Sequence, residues 1–433
     1  MRIAVIGSGI AGNAAAWALA TGSSHEVVVY EKGDRPGGHA ATVDIVHSGS
    51  NIAVDTGFIV YNDLNYPNFV ALLAHLGVQT QASDMGFSVS SGGGKAEWAG
   101  RTDAMLDGFF ARRRNIVSPG HLNMLREMFR FNREALADQD AGRLSGTTIG
   151  SYLKQGRYSA RFRDEYLIPM GAAIWSMSPQ RLLEFPAASF VAFFSNHRLL
   201  HWTRPSWRTV TGGSRGYVKK LIAPFADRIR LNTRVTRVLR TDLSVMITDA
   251  GGETDRFDQV IFASHSDQTL AMLGDATENE RAVLAPIKYR ENDVWLHSDK
   301  ALMPKRQAAW TAWNVLSNAD RNAELTLTYW MNVLQGIDRS TPVFVTLNPP
   351  VSPREELTFG RYSYAHPQYD SAALAAQARL PEIQGAHRSW FAGAWTGYGF
   401  HEDGLRSGLA AAEALGASIP WRQSAMPMAE AAE

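Results

Sequence analysis

The chain has 433 residues, no cysteine, and a formal charge of +1 from 43 Lys and Arg against 42 Asp and Glu. That length allows two domains, or one domain carrying a large insertion. The missing cysteine excludes disulfides, zinc–thiolate sites and iron–sulfur clusters, and the balanced charge gives a nucleic-acid partner no electrostatic support.

Hydrophobic residues make up 45%, with 12 Trp, 13 Tyr and 19 Phe, which is ample material for a packed core. Met1-Arg2 runs straight into Ile3-Ala4-Val5-Ile6, a strand rather than a secretory signal. No apolar run approaches the roughly 20 residues of a membrane helix, so a cytoplasmic protein is expected.

Residues 2–6 read as a buried strand, 10–21 as a helix of small residues and 26–30 as a second buried strand, a βαβ opening. Residues 42–46 and 51–55 form a predicted hairpin turned at Ser48-Gly49-Ser50, and 66–76 a helix. Residues 103–200 are mostly helical in pattern. Strands return at 229–249 and 256–263, and 290–348 alternates apolar and polar residues as a half-exposed antiparallel sheet would. A last strand at 389–392 leads to a helix at 404–415, and the chain from Pro420 onward has no apolar period. This order implies an α/β protein with interleaved domains. A nucleotide domain takes 1–75, 205–280 and 385–416, an α+β substrate domain takes 76–204 and 281–384, and 417–433 is a flexible tail.

The first motif is Gly7-Ser8-Gly9-Ile10-Ala11-Gly12. Gly7 suits a tight turn, Gly9 lets backbone approach a pyrophosphate, and Gly12 lets helix pack closely on strand. Ile10 and Ala11 open a helix whose unpaired N–H groups and positive dipole end would face the phosphates. Glu31 ends the second strand at the distance, about 20 residues on, where a carboxylate binds ribose hydroxyls. Strand, glycines, helix and acid together point to a Rossmann-type dinucleotide site; the plain alternative is a tight turn in an ordinary α/β protein.

Four further segments decide which dinucleotide. Glu31-Lys32-Gly33-Asp34-Arg35-Pro36-Gly37-Gly38-His39-Ala40-Ala41-Thr42 resembles the RxGG loop of the flavin-dependent amine oxidase and phytoene desaturase superfamily. Val54-Asp55-Thr56-Gly57-Phe58 is similar to its DxG element near the flavin, and Leu231-Asn232-Thr233-Arg234-Val235 to the strand whose valine meets adenine. The run from Trp390-Phe391-Ala392-Gly393-Ala394 to Gly404-Leu405-Arg406-Ser407-Gly408 resembles the C-terminal flavin motif. The resemblance implies a two-domain flavoprotein holding FAD. It places Lys32, Arg35, Gly37, Gly38, His39, Thr56, Gly57, Phe58, Val235, Gly393 and Ala394 at the cofactor. Asp403, Gly404 and Leu405 join them under the ring, with Asp403 also a helix cap. Negative charge gathers at N1 and O2 on flavin reduction, which suits a helix N-terminus. Without cysteine, a thioether link is excluded and a non-covalent FAD is expected, a histidine link staying open; no metal is expected.

Within the superfamily, two departures count against amine oxidation. Asn292 stands where amine oxidases carry a lysine near the flavin, and Phe400 where they favour a cage tyrosine. Stretches such as Tyr166-Leu167-Ile168-Pro169-Met170, Trp310-Thr311-Ala312-Trp313-Asn314 and Leu327-Thr328-Tyr329-Trp330-Met331-Asn332 are similar to one branch. That branch is associated with cyclopropane-fatty-acid-synthase-like methyltransferases, and resembles the N-terminal half of plant cyclopropane synthases and a furan fatty acid desaturase. It implies an acyl chain of a phospholipid as substrate, dehydrogenated by hydride transfer to flavin N5. It also implies such a methyltransferase as a possible partner; peripheral contact with the inner membrane face is expected from the arginines and phenylalanines of residues 109–133. An amine or amino-acid oxidase, a flavin-dependent double-bond isomerase and a non-catalytic flavin partner of a lipid methyltransferase stay as alternatives.

His401 and Glu402, next to the flavin motif, are candidates to hold a proton or orient substrate; helix capping is the plain alternative. His297, Tyr329 and Asn332 are candidates on substrate-domain strands, set against ordinary structural hydrogen bonding. For Trp175-Ser176 and Asn196-His197 core packing is favoured. Phe109, Phe110, Phe129 and Phe131 alternate with Arg112, Arg113, Arg114, Arg126, Arg130 and Arg133, a composition able to seat a helix on an anionic lipid surface.

Overall fold

The computed structural model describes residues 1–100, 108–175, 177–201, 205–317 and 325–423. Its nucleotide end is a five-stranded parallel sheet in the order Ile229–Arg230, Glu26–Tyr30, Arg2–Ile6, Gln259–Phe262, Ser389–Phe391. The strands come from both ends and the middle of the chain. Ile3 pairs with Val27 and Gln259, and Ile261 with Trp390. Ile3, Ala4 and Val5 are fully buried, as expected of a strand covered on both faces.

The helix Ile10–Gly22 follows at once, and its small side chains let a second helix come close. A Cβ at Gly408, in the C-terminal helix His401–Ala414, would lie 2.1 Å from the Ala11 carbonyl oxygen. Leu405 and Leu409 of that helix join Trp17, Phe69 and Tyr217 in one core. The hairpin forms as read, Thr42–His47 against Ser50–Asp55, closed by Ser48 and Gly49 at φ 49° and 79°. Positive φ at both turn residues matches the twist of the strands it joins.

The alternation at 290–348 does become sheet, but the sheet is larger than those residues. Seven strands run in the order Thr358–Gln368, Lys288–His297, Phe344–Leu347, Thr326–Trp330, Trp313–Ser317, Phe87–Ser91, Ala96–Gly100. The last two come from far upstream, and Phe87–Ser91 pairs parallel with Trp313–Ser317. Ile168–Trp175 packs on Trp313–Ser317 of this sheet, and the helices Pro119–Asp140, Ile149–Gln155 and Ala187–Asn196 share its core, around Phe131, Phe162, Phe190, Phe193 and Phe194.

Two expectations change. The C-terminal helix starts at His401, three positions before the expected 404, so His401, Glu402 and Asp403 form its first turn. The tail does not begin at 417: Ala417 and Ile419 are buried, and Pro420–Gln423 is a short helix. Trp421 stacks on Trp17 with centroids 5.5 Å apart, and Arg422 binds Asn68 and Glu413. One aromatic contact of this kind is worth about 1 kcal/mol, which explains why a stretch without apolar period still docks. Residues 424–433 lie outside the described residues.

Candidate active site

One cavity of about 1430 Å³ joins the nucleotide end to the helices of the second domain. Ligand pockets usually fall between roughly 300 and 1,000 Å³, so this one has room for a dinucleotide and a substrate together.

Gly7, Gly9, Ile10 and Ala11 line the nucleotide end with Glu31, Lys32, Gly37, Gly38, His39, Val235, Gly393 and Ala394. Gly7 is held at φ +106°, where a Cβ would meet the Ala263 carbonyl at 2.7 Å. A Cβ on Gly9 would instead point into open space with nothing within 4 Å, and the helix N-terminus at Gly9 has no side-chain cap. Its first amides are therefore left for a ligand. Gly12 is outside the cavity and serves packing, since its Cβ would lie 1.8 Å from the Gly7 carbonyl oxygen. Glu31 is held at the turn by Ser8 N at 3.0 Å, Ser8 Oγ at 2.6 Å and Gly33 N at 2.7 Å. The ladder next to Val235 is bulged, which turns residues 233–236 into the wall.

Gly57 and Phe58 line the middle of the cavity, where Phe58 N donates to His39 O at 2.8 Å. The rings of Phe58 and His401 stack 3.8 Å apart. His401 Nε2 lies 2.6 Å from Tyr217 Oη, and burial pulls the imidazole down to about 3. His401 is thus neutral near pH 7, an uncharged hydrogen-bonding group rather than a cation. Burial also holds His39 and His265 at about 4 and His366 at about 3, all three on the cavity wall.

Several expected site residues are elsewhere. Arg35 donates to the carbonyls of Pro36, Gly38 and Ala40, so it braces the double-glycine loop instead of facing the cavity. Thr56 is buried between Ala41 O and Tyr364 Oη behind the wall. Asp403 accepts from Tyr398 N and Phe400 N and closes the turn into the helix; Gly404 packs on Ile10 and Leu405 lies in the core. None of these five lines the cavity.

Of the catalytic candidates, only His401 and Tyr329 line it. Glu402 accepts from Asn68 N, Asn68 Nδ2 and Phe69 N at 2.6–3.0 Å, capping the helix Pro67–His75. His297 is fully buried on the other face of its strand, 2.7 Å from Thr346 Oγ1. Asn332 uses its amide on Asp338 O, Thr341 O and Val343 N to fix a turn. In each case the plain structural role won because a buried polar group must be satisfied. Asn292 is also fully buried, bonded to Tyr364 O and His366 Nδ1, and does not reach the cavity.

The arm of the cavity that reaches in among the helices of the second domain was only partly anticipated. Trp98, Phe109, Met128, Met170, Trp175 and Phe193 line it together with His197; Asn196 does not, and Ser176 lies outside the described residues. The Nδ1–H of His197 donates to Phe193 O at 3.1 Å, which leaves Nε2 with its lone pair; burial keeps the ring at about 4. Sequence reading also missed Tyr364 and His366. The period-two aromatic run Tyr362, Tyr364, His366 on Thr358–Gln368 was the available signal.

The residues fit a flavin dinucleotide. Besides the open cradle at Gly9, His39 Nε2, Trp175 Nε1, Trp313 Nε1 and Tyr369 Oη are buried on wall residues without a hydrogen-bond partner among the described residues. Such groups cost about 1–3 kcal/mol each unless a ligand or water pairs with them.

Comparisons with known proteins agree. A search of curated proteins finds no match. Among solved structures, a putrescine oxidase redesigned in its cofactor binding superposes with TM-score 0.66 at 15% identity, covering 96% of this chain and 98% of its own. Cyclohexylamine oxidase from Brevibacterium oxydans gives 0.65 at 15%, with the same coverage of 96% and 98%. A CLA-producing fatty acid isomerase from P. acnes gives 0.63 at 14%, covering 96% and 97%. These show the shared two-domain α/β flavoprotein fold. The model of flavin containing amine oxidoreductases matches residues 10–281, more than half of the sequence. The chain belongs to the flavin-containing amine oxidoreductase family, and its cofactor is FAD.

Proposed function

We propose that this FAD-dependent oxidoreductase desaturates the acyl chain of a phospholipid. The observation that carries this reading is the apolar arm. From Phe193 outward to Phe109 and Met128 the wall is mainly aromatic and aliphatic, with Asn132 and Arg133 beside Met128, and among the described residues only two carboxylates line the whole cavity, Glu31 and Glu291. A long hydrocarbon gains about 0.8 kcal/mol per buried CH₂ in such a channel. An ammonium substrate would find no carboxylate among the described residues of the arm. Lys32, at the nucleotide end, is the one lysine on the wall, so the lysine expected of amine oxidases has no counterpart among the described lining residues.

Desaturation breaks two C–H bonds and forms one C=C bond. Bound FAD supplies a two-electron acceptor for one hydrogen with its electron pair. The other leaves as a proton, and Nε2 of His197 is an uncharged acceptor on the arm. The surrounding rings, Phe193 stacked at 3.9 Å on His197 and at 5.2 Å on Phe400, hold that imidazole and exclude water.

The test is anaerobic mixing of the holoprotein with detergent-dispersed phospholipids carrying cis-monounsaturated or methyl-branched chains. Loss of the visible flavin band with a product lighter by two hydrogens is expected. A flavin reduced only by amines would sink the proposal. The fold shared with a fatty acid isomerase supports a second reading on the same arm, double-bond migration, which would appear as a product of unchanged mass and no lasting loss of colour.

A further inference from the structure

Ten large apolar side chains are markedly exposed among the described residues, and four of them fall within residues 116–129: Ile116, Val117, Leu122 and Phe129. The first two, at 55% and 75% exposure, sit at the end of the turn Arg113–Val117. The helix Pro119–Asp140 begins directly after it. Its inner face, Met124, Met128, Phe131 and Ala135, is buried. On the outer face Leu122, Arg126, Phe129, Arg133 and Leu136 recur at intervals of three and four, one continuous stripe. The far end of that stripe is the cavity: Phe129, Arg133 and Leu136 are lining residues.

The charge of this surface is one-sided. Residues 108–133 carry six arginines and one acid, Glu127, which is buried against Ser159. Arg112 is tied to the Lys95 carbonyl, and Arg130 lies over the Tyr158 ring and donates to Gly156 O. Arg113, Arg114 and Arg126 have no ion-pair partner among the described residues, and Arg133 reaches only Glu134 at 4.0 Å. The expected apolar component was the phenylalanines; Phe109 and Phe131 are in the core, and Ile116, Val117 and Leu122 take their place beside Phe129.

We propose that this face docks on an anionic phospholipid bilayer, with Ile116, Val117, Leu122 and Phe129 in the acyl boundary and Arg113, Arg114, Arg126 and Arg133 at the phosphates. Apolar side chains set among arginines on one helix face suit an interfacial position, and each arginine near an anionic surface strengthens the attachment. The stripe then leads an acyl chain from the bilayer into the cavity without crossing water. That last step rests on the acyl reading; the docking does not.

The experiment is flotation of the holoprotein with vesicles of phosphatidylcholine alone and of phosphatidylcholine mixed with phosphatidylglycerol, at low and high salt. Wild type is expected to float with the mixed vesicles and to be released by salt. Ile116→Asp/Val117→Asp and Arg113→Glu/Arg114→Glu should each weaken binding by about tenfold or more while keeping their flavin. Both variants should still react with detergent-dispersed lipid as wild type does. No flotation, flotation equal on neutral vesicles, or variants that float like wild type would overturn the docking and turn the patch towards a protein partner. Flotation without flavin reduction by any dispersed lipid leaves the docking standing and removes the acyl reading.

Discussion

At the scale of single residues, two glycines three positions apart do opposite work. Gly9 has an ordinary φ of −67° and open space beyond it, so a side chain there strains nothing in the protein and intrudes only on the cradle. Gly12 has no such latitude, because a Cβ would overlap the Gly7 carbonyl. Gly9→Val is therefore expected to fold with wild-type circular dichroism and to purify nearly colourless. Gly12→Val should fail to yield folded protein. A yellow Gly9→Val protein would show that the pyrophosphate does not approach this turn. The glycine spacing was legible in the sequence because it encodes backbone geometry, which is local. The aim of a side chain is not local. His197 and His297 look alike as sequence, yet one faces the cavity and the other closes a hydrogen bond with Thr346 on a neighbouring strand.

At the scale of elements, the same limit separates what was read from what was missed. Strands and helices with strong periods were placed well. The strands Phe87–Ser91 and Ala96–Gly100 were not: they pair with each other, and Phe87–Ser91 joins the sheet through Trp313–Ser317, a partner distant in sequence that only tertiary contact supplies. Glu402 was misread for a related reason. Its neighbours His401 and Asp403 suggested chemistry, but its partners are the first amides of a helix more than 330 positions earlier. Burial raises its carboxyl above the usual range even though three N–H groups hold it. Glu402→Ala should thus cost about 1–2 kcal/mol, the usual loss for a helix N-cap, read as a lower urea midpoint. Flavin reduction by substrate should be retained. A variant of unchanged stability that no longer reacts would return Glu402 to the catalytic set.

At the scale of the molecule, burying so many imidazoles has a consequence for acid stability. His297 is the cleanest case, fully buried, away from the cavity, and held at about 4 instead of 6.5. Its folded value lies below its unfolded value, so between pH 6.5 and 4 the unfolded chain takes up the proton first. Acidification through that window must favour unfolding. Asp55, Glu402 and Asp403 work in the opposite sense, since burial raises them and the folded state binds their protons first. Total stability against pH therefore mixes both signs, and a difference measurement is needed. In His297→Gln the amide can keep a bond to Thr346 but cannot titrate. Measured by urea unfolding of the holoprotein, wild type should lose roughly 2–3 kcal/mol relative to this variant between pH 7 and pH 4.5. Parallel curves would mean that His297 can be protonated inside the folded protein, by water reaching the sheet or by the strand opening.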